Sequence, residues 1–242
     1  MMRVFSPRHR SISPAAYGYS SRGVARASLT TGRAQHEPLR RRDIEVLAWI
    51  AEQYAGRIDH LEVLLGAGPR TVQRTLARLR AAGLIRTQRV LVGEPAWVLP
   101  TAAGMTACSS GFGVWRPRIG LLNHVAAVND VRLHIQGRAP GTEWLPERVL
   151  ARDRLAGEHL PDGVAITDGR RVAIEAELTL KSRRRITANL DDLTVRFDAV
   201  LYFCATSTHR QLTELAASGR WPTLGVRELP TSMGDDQERR LP

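Results

Sequence analysis

The dipeptide Asp168-Gly169 constrains this chain more than any other feature. It stands between two short runs of strand-forming residues, Gly163 to Thr167 and Arg171 to Leu180. A two-residue loop between strands is satisfied by a turn with positive φ at its centre, which Asp and Gly tolerate. Such a loop closes an antiparallel hairpin and fixes its register. Thr167 then opposes Arg170, and counting outward Asp162 opposes Glu175. Opposed residues share a face of the sheet, with Cβ atoms roughly 5 Å apart. Glu177 joins that face because strand side chains alternate. The hairpin therefore predicts that Asp162, Glu175 and Glu177 converge. Lys181, the sole lysine in the chain, continues the same face, roughly 13 Å beyond Glu177 if the strand stays extended.

Three clustered carboxylates repel one another unless a cation sits among them, and hard oxygen ligands suit Mg²⁺ or Mn²⁺. On this reading Asp162, Glu175 and Glu177 hold the metal, and with Lys181 they form the candidate catalytic set. The lysine would orient water or stabilise charge developing on a phosphate. A plainer reading stays open. Pro161-Asp162-Gly163 is an ordinary turn sequence, and Glu175 and Glu177 suit the wet face of a half-buried strand. His159 reads as a loop histidine rather than a further ligand. His124, Asn129 and Asp130 lie on a predicted helix that could lean over the acids.

Around the hairpin, helices and strands alternate. A helix is predicted over Leu121 to Ile135, then a strand over Trp144 to Leu150 that contains Pro146. After the hairpin come a helix over Ser182 to Phe197, a buried strand over Ala199 to Ala205, a helix over Thr208 to Ser218 and a strand over Leu224 to Leu229. The order α-β-β-β-α-β, with acids at these places, resembles the PD-(D/E)XK nuclease fold. That pattern has Glu-x-Lys where this chain has Glu175-Ala176-Glu177.

Upstream, Arg42 to Tyr54 has helical periodicity, with Ile44, Leu47, Ala48 and Ala51 on one face and Gly56 expected to end it. Ile58 to Leu65 makes a second helix. Gly66-Ala67-Gly68 breaks the chain, and Pro69 opens a third helix, where the first position needs no N–H. That third helix, Arg70 to Ala82, carries an apolar stripe of Val72, Leu76 and Leu79. Arg70, Arg74, Arg78 and Arg80 populate its remaining surface. A helix, a tight turn and a basic helix is the helix-turn-helix layout. Strands over Arg86 to Val92 and Ala96 to Leu99 follow as a wing. Leu76 to Ile85 and Thr101-x-x-Gly104 resemble the same segments of winged-helix regulators. Arg70, Arg74, Arg78, Arg80, Arg86 and Arg89 are the candidate DNA-binding residues, the last two as grips on phosphate. A solvated basic face on a protein-binding winged helix is the alternative.

Composition favours a polyanionic partner. The net charge is +11 over 242 residues, and with 43% hydrophobic content the chain can still bury a core. No apolar run approaches the roughly 18 residues that span a membrane, so no membrane role and a cytoplasmic setting are expected. Cys108 and Cys204 are far apart in sequence and suggest neither a disulfide framework nor a zinc site. The division expected is a disordered basic arm (1–38), a winged helix (39–108), a linker (109–118), a nuclease-like α/β domain (119–230) and a flexible tail (231–242). The fold class is thus α+β or α/β.

His159-Leu-Pro-Asp-Gly163, Ala173 to Lys181 and Leu122-Asn-His-Val-Ala-Ala-Val-Asn-Asp130, behind a winged helix, resemble the replication-relaxation family of actinobacterial mobile elements. The resemblance runs from about Leu39 to Leu229. It implies a plasmid or integrative-element context, with double-stranded DNA, replication or transfer proteins, and a second copy of the chain as candidate partners. The functions expected are DNA binding in replication, transfer or transcriptional control, metal-dependent DNA cleavage, or adaptor work on a degenerate nuclease scaffold.

Overall fold

The computed structural model describes residues 38–90, 93–179 and 181–230. All of them fall within 36–242, one of two compact units into which the chain divides. The expected basic arm and flexible tail lie outside the described residues.

The first helix, α1 (Arg41–Glu52), begins where Asp43 Oδ2 accepts the Arg40 N–H at 2.9 Å. Its buried face is Val46, Leu47, Trp49, Ile50 and Ala51, about a residue round from the stripe predicted, and Ile44 and Ala48 are only half-buried. The helix stops at Glu52, short of Tyr54. Tyr54 takes a left-handed backbone with φ of 68°, which turns the chain into β1 (Gly56–Arg57). Gly56 therefore does not end the helix but pairs with Val98 in a sheet.

α2 (Ile58–Leu65) ends on Gly66, whose φ of 53° suits glycine at a helix terminus. α3 (Pro69–Ala81) starts on its proline, as predicted. β2 (Ile85–Gln88) and β3 (Trp97–Pro100) then form an antiparallel pair, and the three short strands lie in the order β1-β3-β2. β2 ends at Gln88, earlier than expected. The Thr101-x-x-Gly104 motif now has a physical reading. Thr101 Oγ1 donates to Gly83 O at 2.7 Å and accepts from Gly104 N at 3.1 Å, capping α4 (Ala102–Ala107). A Cβ on Gly104 would lie 2.0 Å from Leu84 O, so only glycine fits.

The second block is built on α5 (Ile119–Arg138) and a five-stranded sheet in the order β4-β5-β6-β7-β8. β4 is Glu143–Pro146, β5 Gly163–Thr167 and β6 Arg170–Glu177, with β5 antiparallel to both β4 and β6. α7 (Arg183–Arg196) then crosses to β7 (Ala199–Cys204), and α8 (Thr206–Ala217) to β8 (Leu224–Glu228), both pairings parallel. β4 stops at Pro146 instead of running to Leu150. Proline has no N–H to give a ladder, and the next four residues coil into α6 (Glu147–Leu150). β6 likewise ends at Glu177 rather than at residue 180.

Both faces of the sheet are covered. Val164, Ala173, Val200 and Tyr202 pack on Ile186, Leu190 and Leu193 of α7 and on Leu212 and Leu215 of α8. Ala165, Ile174, Ala176 and Phe203 pack on Ala127, Val128 and Val131 of α5. This double cover is why Ala199 to Cys204 is apolar without a break. α5 has a second buried side. Leu122, Val125 and Ala126 meet Ala55, Trp97 and Leu99 of the first block. The helix is thus apolar on both flanks because it is clamped between two sheets. Residues 109–118 carry no helix or strand, as predicted, but they are strapped down rather than loose. Arg148 donates to Gly113 O and Arg152 to Ser110 O, and both guanidinium groups lie within 4.6 Å of the Phe112 ring centre. Among the described residues no helix is long and apolar enough to cross a membrane.

Candidate functional site

The arginines of α3 do not form one row. Arg70 and Arg74 are exposed, and so is Arg80, whose Nη2 donates to Thr87 Oγ1 on β2. Arg86 and Arg89 are exposed on and just past β2, with Arg86 Nη1 2.8 Å from Gln88 Oε1. Arg78 departs from the expectation and has turned inward. Its Nε and Nη2 each meet an Asp43 carboxylate oxygen at 2.7 Å, and Nη2 also reaches Thr75 Oγ1 at 3.2 Å. The cause is helical phase. Each step of four residues advances about 40° past a full turn, so Arg78 lies about 80° round from Arg70, beside the Leu76 and Leu79 stripe. Burial alone would raise the Asp43 pKa. The Arg78 hydrogen bonds and the Arg40 N–H outweigh it and hold the carboxyl below the usual aspartate range.

The predicted hairpin register is the observed one. Thr167 pairs with Arg170 and Gly163 with Ile174, and Asp162 lies one residue beyond. Asp168 and Gly169 carry the positive φ values, 50° and 78°, that the turn requires. Asp162 Oδ2 accepts the Ala176 N–H at 2.7 Å, which holds the carboxyl against β6 between Glu175 and Glu177. Both glutamates are buried, at 3% exposure each. Lys181 does not continue outward. Because β6 ends at Glu177, the chain turns and Lys181 Nζ comes back to Glu177 Oε2 at 2.6 Å.

Each acid has its own base. Asp162 Oδ1 lies 2.9 Å from His124 Nε2, and Glu175 Oε1 lies 2.9 Å from His159 Nε2. His159 stands in a loop, as predicted, yet its ring reaches the cluster. Of the three polar residues on α5, only His124 does so. Asn129 Nδ2 donates to Ala55 O at 2.9 Å, and Asp130 Oδ1 meets His60 Nε2 at 3.2 Å, so both fasten α5 to the first block. Burial, and then the charge of Asp162, pushes the Glu175 carboxyl up to about 7, with His159 pulling the other way. The Asp162 hydrogen bond raises His124 against its burial.

Sequence reasoning missed Tyr54, Glu147 and Tyr202. Tyr54 Oη donates to Glu147 Oε2 at 3.0 Å, beside His124 and Asp162 in a narrow crevice between the blocks. Burial raises both the Glu147 carboxyl and the Tyr54 phenol. Tyr202 pairs with Glu175 across the parallel ladder, and burial first, then the acids, raises its phenol. Glu147 was hidden by the strand expected past Pro146.

Among the described residues no group of three or more His, Cys, Asp or Glu side chains is placed to hold an ion. His124 lies against Asp162, His159 against Glu175 and Lys181 against Glu177.

The chain matches no known family model and no curated protein. A solved structure, PigF with SAH, aligns at 16% identity and a TM-score of 0.19, covering 79% of this chain. The alignment spans 62% of that chain.

Proposed function

We propose that this protein binds double-stranded DNA through α3, with the β2–β3 hairpin as a wing. The observation that carries the reading is the exposed pair Arg70 and Arg74 on a helix that follows a short turn and precedes a hairpin bearing Arg86 and Arg89. In that arrangement the second helix of the pair enters the major groove, and arginine forks suit guanine edges and phosphates. The setting is the nucleoid or a plasmid, in replication, transfer or transcriptional control, as the family resemblance implies.

A gel-shift series tests it. Binding falls steeply with salt, because each phosphate contact releases counterions. Arg70→Ala with Arg74→Ala removes sequence-specific shifts while the protein stays folded. Unchanged specific binding in that variant sinks the assignment.

Cleavage is the second reading. It is favoured by the strand order, by the register that sets Asp162 against Glu175, and by the return of Lys181 to Glu177. The histidines held against Asp162 and Glu175 count against it. Incubation of supercoiled plasmid with Mn²⁺ is expected to leave it intact. Nicking that disappears in Asp162→Asn would establish the nuclease. Should DNA binding itself fail, the adaptor reading takes its place.

A further inference from the structure

β6, β7 and β8 run parallel, so their carboxyl ends lie along one edge of the sheet. α7 and α8 both begin at that edge. Open sheets of this kind take ligands just outside the carboxyl ends of their strands. Neither helix has an acid in its first turn. The chain entering α7 instead reads Lys181-Ser182-Arg183-Arg184-Arg185, and residues 182–185 are exposed.

Three later arginines of this block, on α7, on α8 and in the turn after it, have acids as partners. Arg196 pairs with Asp192, Arg210 with Glu214 and Arg220 with Asp191. Four residues on from Arg183, Arg184 and Arg185 stand Thr187, Ala188 and Asn189, and none of these is acidic. Lys181 is already engaged by Glu177. The positive end of a helix dipole disfavours cations, and adjacent cations repel. The free protein thus keeps three guanidinium groups where its own field opposes them. An incoming anion relieves both repulsions. Successive helical residues point about 100° apart, so the three forks fan out. A fan suits a chain of phosphates better than one small ion.

We propose that the first turn of α7 is a second nucleic-acid contact, gripping the phosphodiester backbone without regard to sequence. It uses residues remote in sequence from the recognition helix, so the two assignments fail separately.

The test measures anisotropy of a labelled mixed-sequence duplex against salt, for wild type, for R183Q/R184Q/R185Q and for R70A/R74A. With three phosphate contacts gone, the log–log salt slope of the triple variant becomes shallower by about 2.7 and affinity at low salt drops about tenfold or more. The same change appears when the triple substitution is added to R70A/R74A. The Tm of the free triple variant equals or exceeds that of wild type, since the charges removed opposed the helix dipole. An unchanged slope overturns the proposal. So does displacement of the duplex by inorganic phosphate at matched ionic strength, which would mark a small-anion site. Loss of binding to phosphatidylglycerol vesicles with duplex binding intact would overturn it in favour of a membrane surface. If R70A/R74A binds every duplex as wild type does while the triple variant weakens, the recognition helix is misassigned and the α7 contact stands.

Discussion

Asp43 and Arg78 show how one residue can leave a predicted surface and become part of the interior. The pair is bidentate, and both side chains are buried, at 0% and 8% exposure. Removing one partner of a buried ion pair strands the other charge, at a cost of about 3–5 kcal/mol. Arg78→Ala is therefore expected to lose about that much stability in urea titrations, with duplex affinity of the folded fraction unchanged. Acid acts on the same pair. The Asp43 pKa is depressed in the folded state, so its contribution is full above the ordinary aspartate range and is lost as pH falls through the depressed value. The acid limb of the stability curve should be shallower in Asp43→Asn than in wild type. Gly163 is a second such residue. A Cβ there would lie 2.2 Å from the Trp144 ring, and that ring is itself buried. Gly163→Ala is expected to lower stability by about 1–3 kcal/mol. The phase of Arg78, about 80°, could be counted from the sequence, whereas the Trp144 ring against the Gly163 backbone is a fact of packing.

Among the elements, those governed by local chemistry were the most legible. The Asp168-Gly169 turn set the register of β5 on β6, and Pro69 and Gly66 bounded α3 and α2 as their backbone preferences require. Gly169→Ala places a Cβ at φ of 78° and is expected to cost about 1–2 kcal/mol, read as a shift in the urea midpoint. Elements that ended for non-local reasons were read too long. β4 gave way to α6 at Pro146, and β6 to the turn that returns Lys181. Those two endings carried most of what the sequence concealed about the site, because they place Glu147 near His124 and fold the lysine onto Glu177. The acids were found by alternation. Their bases came from a distant helix and a loop, which no periodicity connects to the sheet.

For the molecule as a whole, the expected boundary between two domains runs through shared structure. α5 is buried on one flank by Trp97 and Leu99 and on the other by the five-stranded sheet. Arg132 Nη1 meets Glu52 Oε2 at 2.9 Å, and Tyr54 reaches Glu147 across the same seam. Burial of this kind makes the halves unfold together. Tryptophan fluorescence and far-UV circular dichroism should trace a single coincident transition in urea, where independent domains would give two. The sequence hid this because an apolar helix flank reads the same whether one sheet or two will cover it.

If the protein binds a duplex as proposed, that clamped helix also decides which of the two yields. With α5 wedged on both flanks and residues 109–118 pinned by Arg148 and Arg152, α3 and the five-stranded sheet are joined through packed structure. A double helix that touches both must curve to suit a fixed stencil, so stiff and pliant sequences of equal contact chemistry would be told apart by their bending alone.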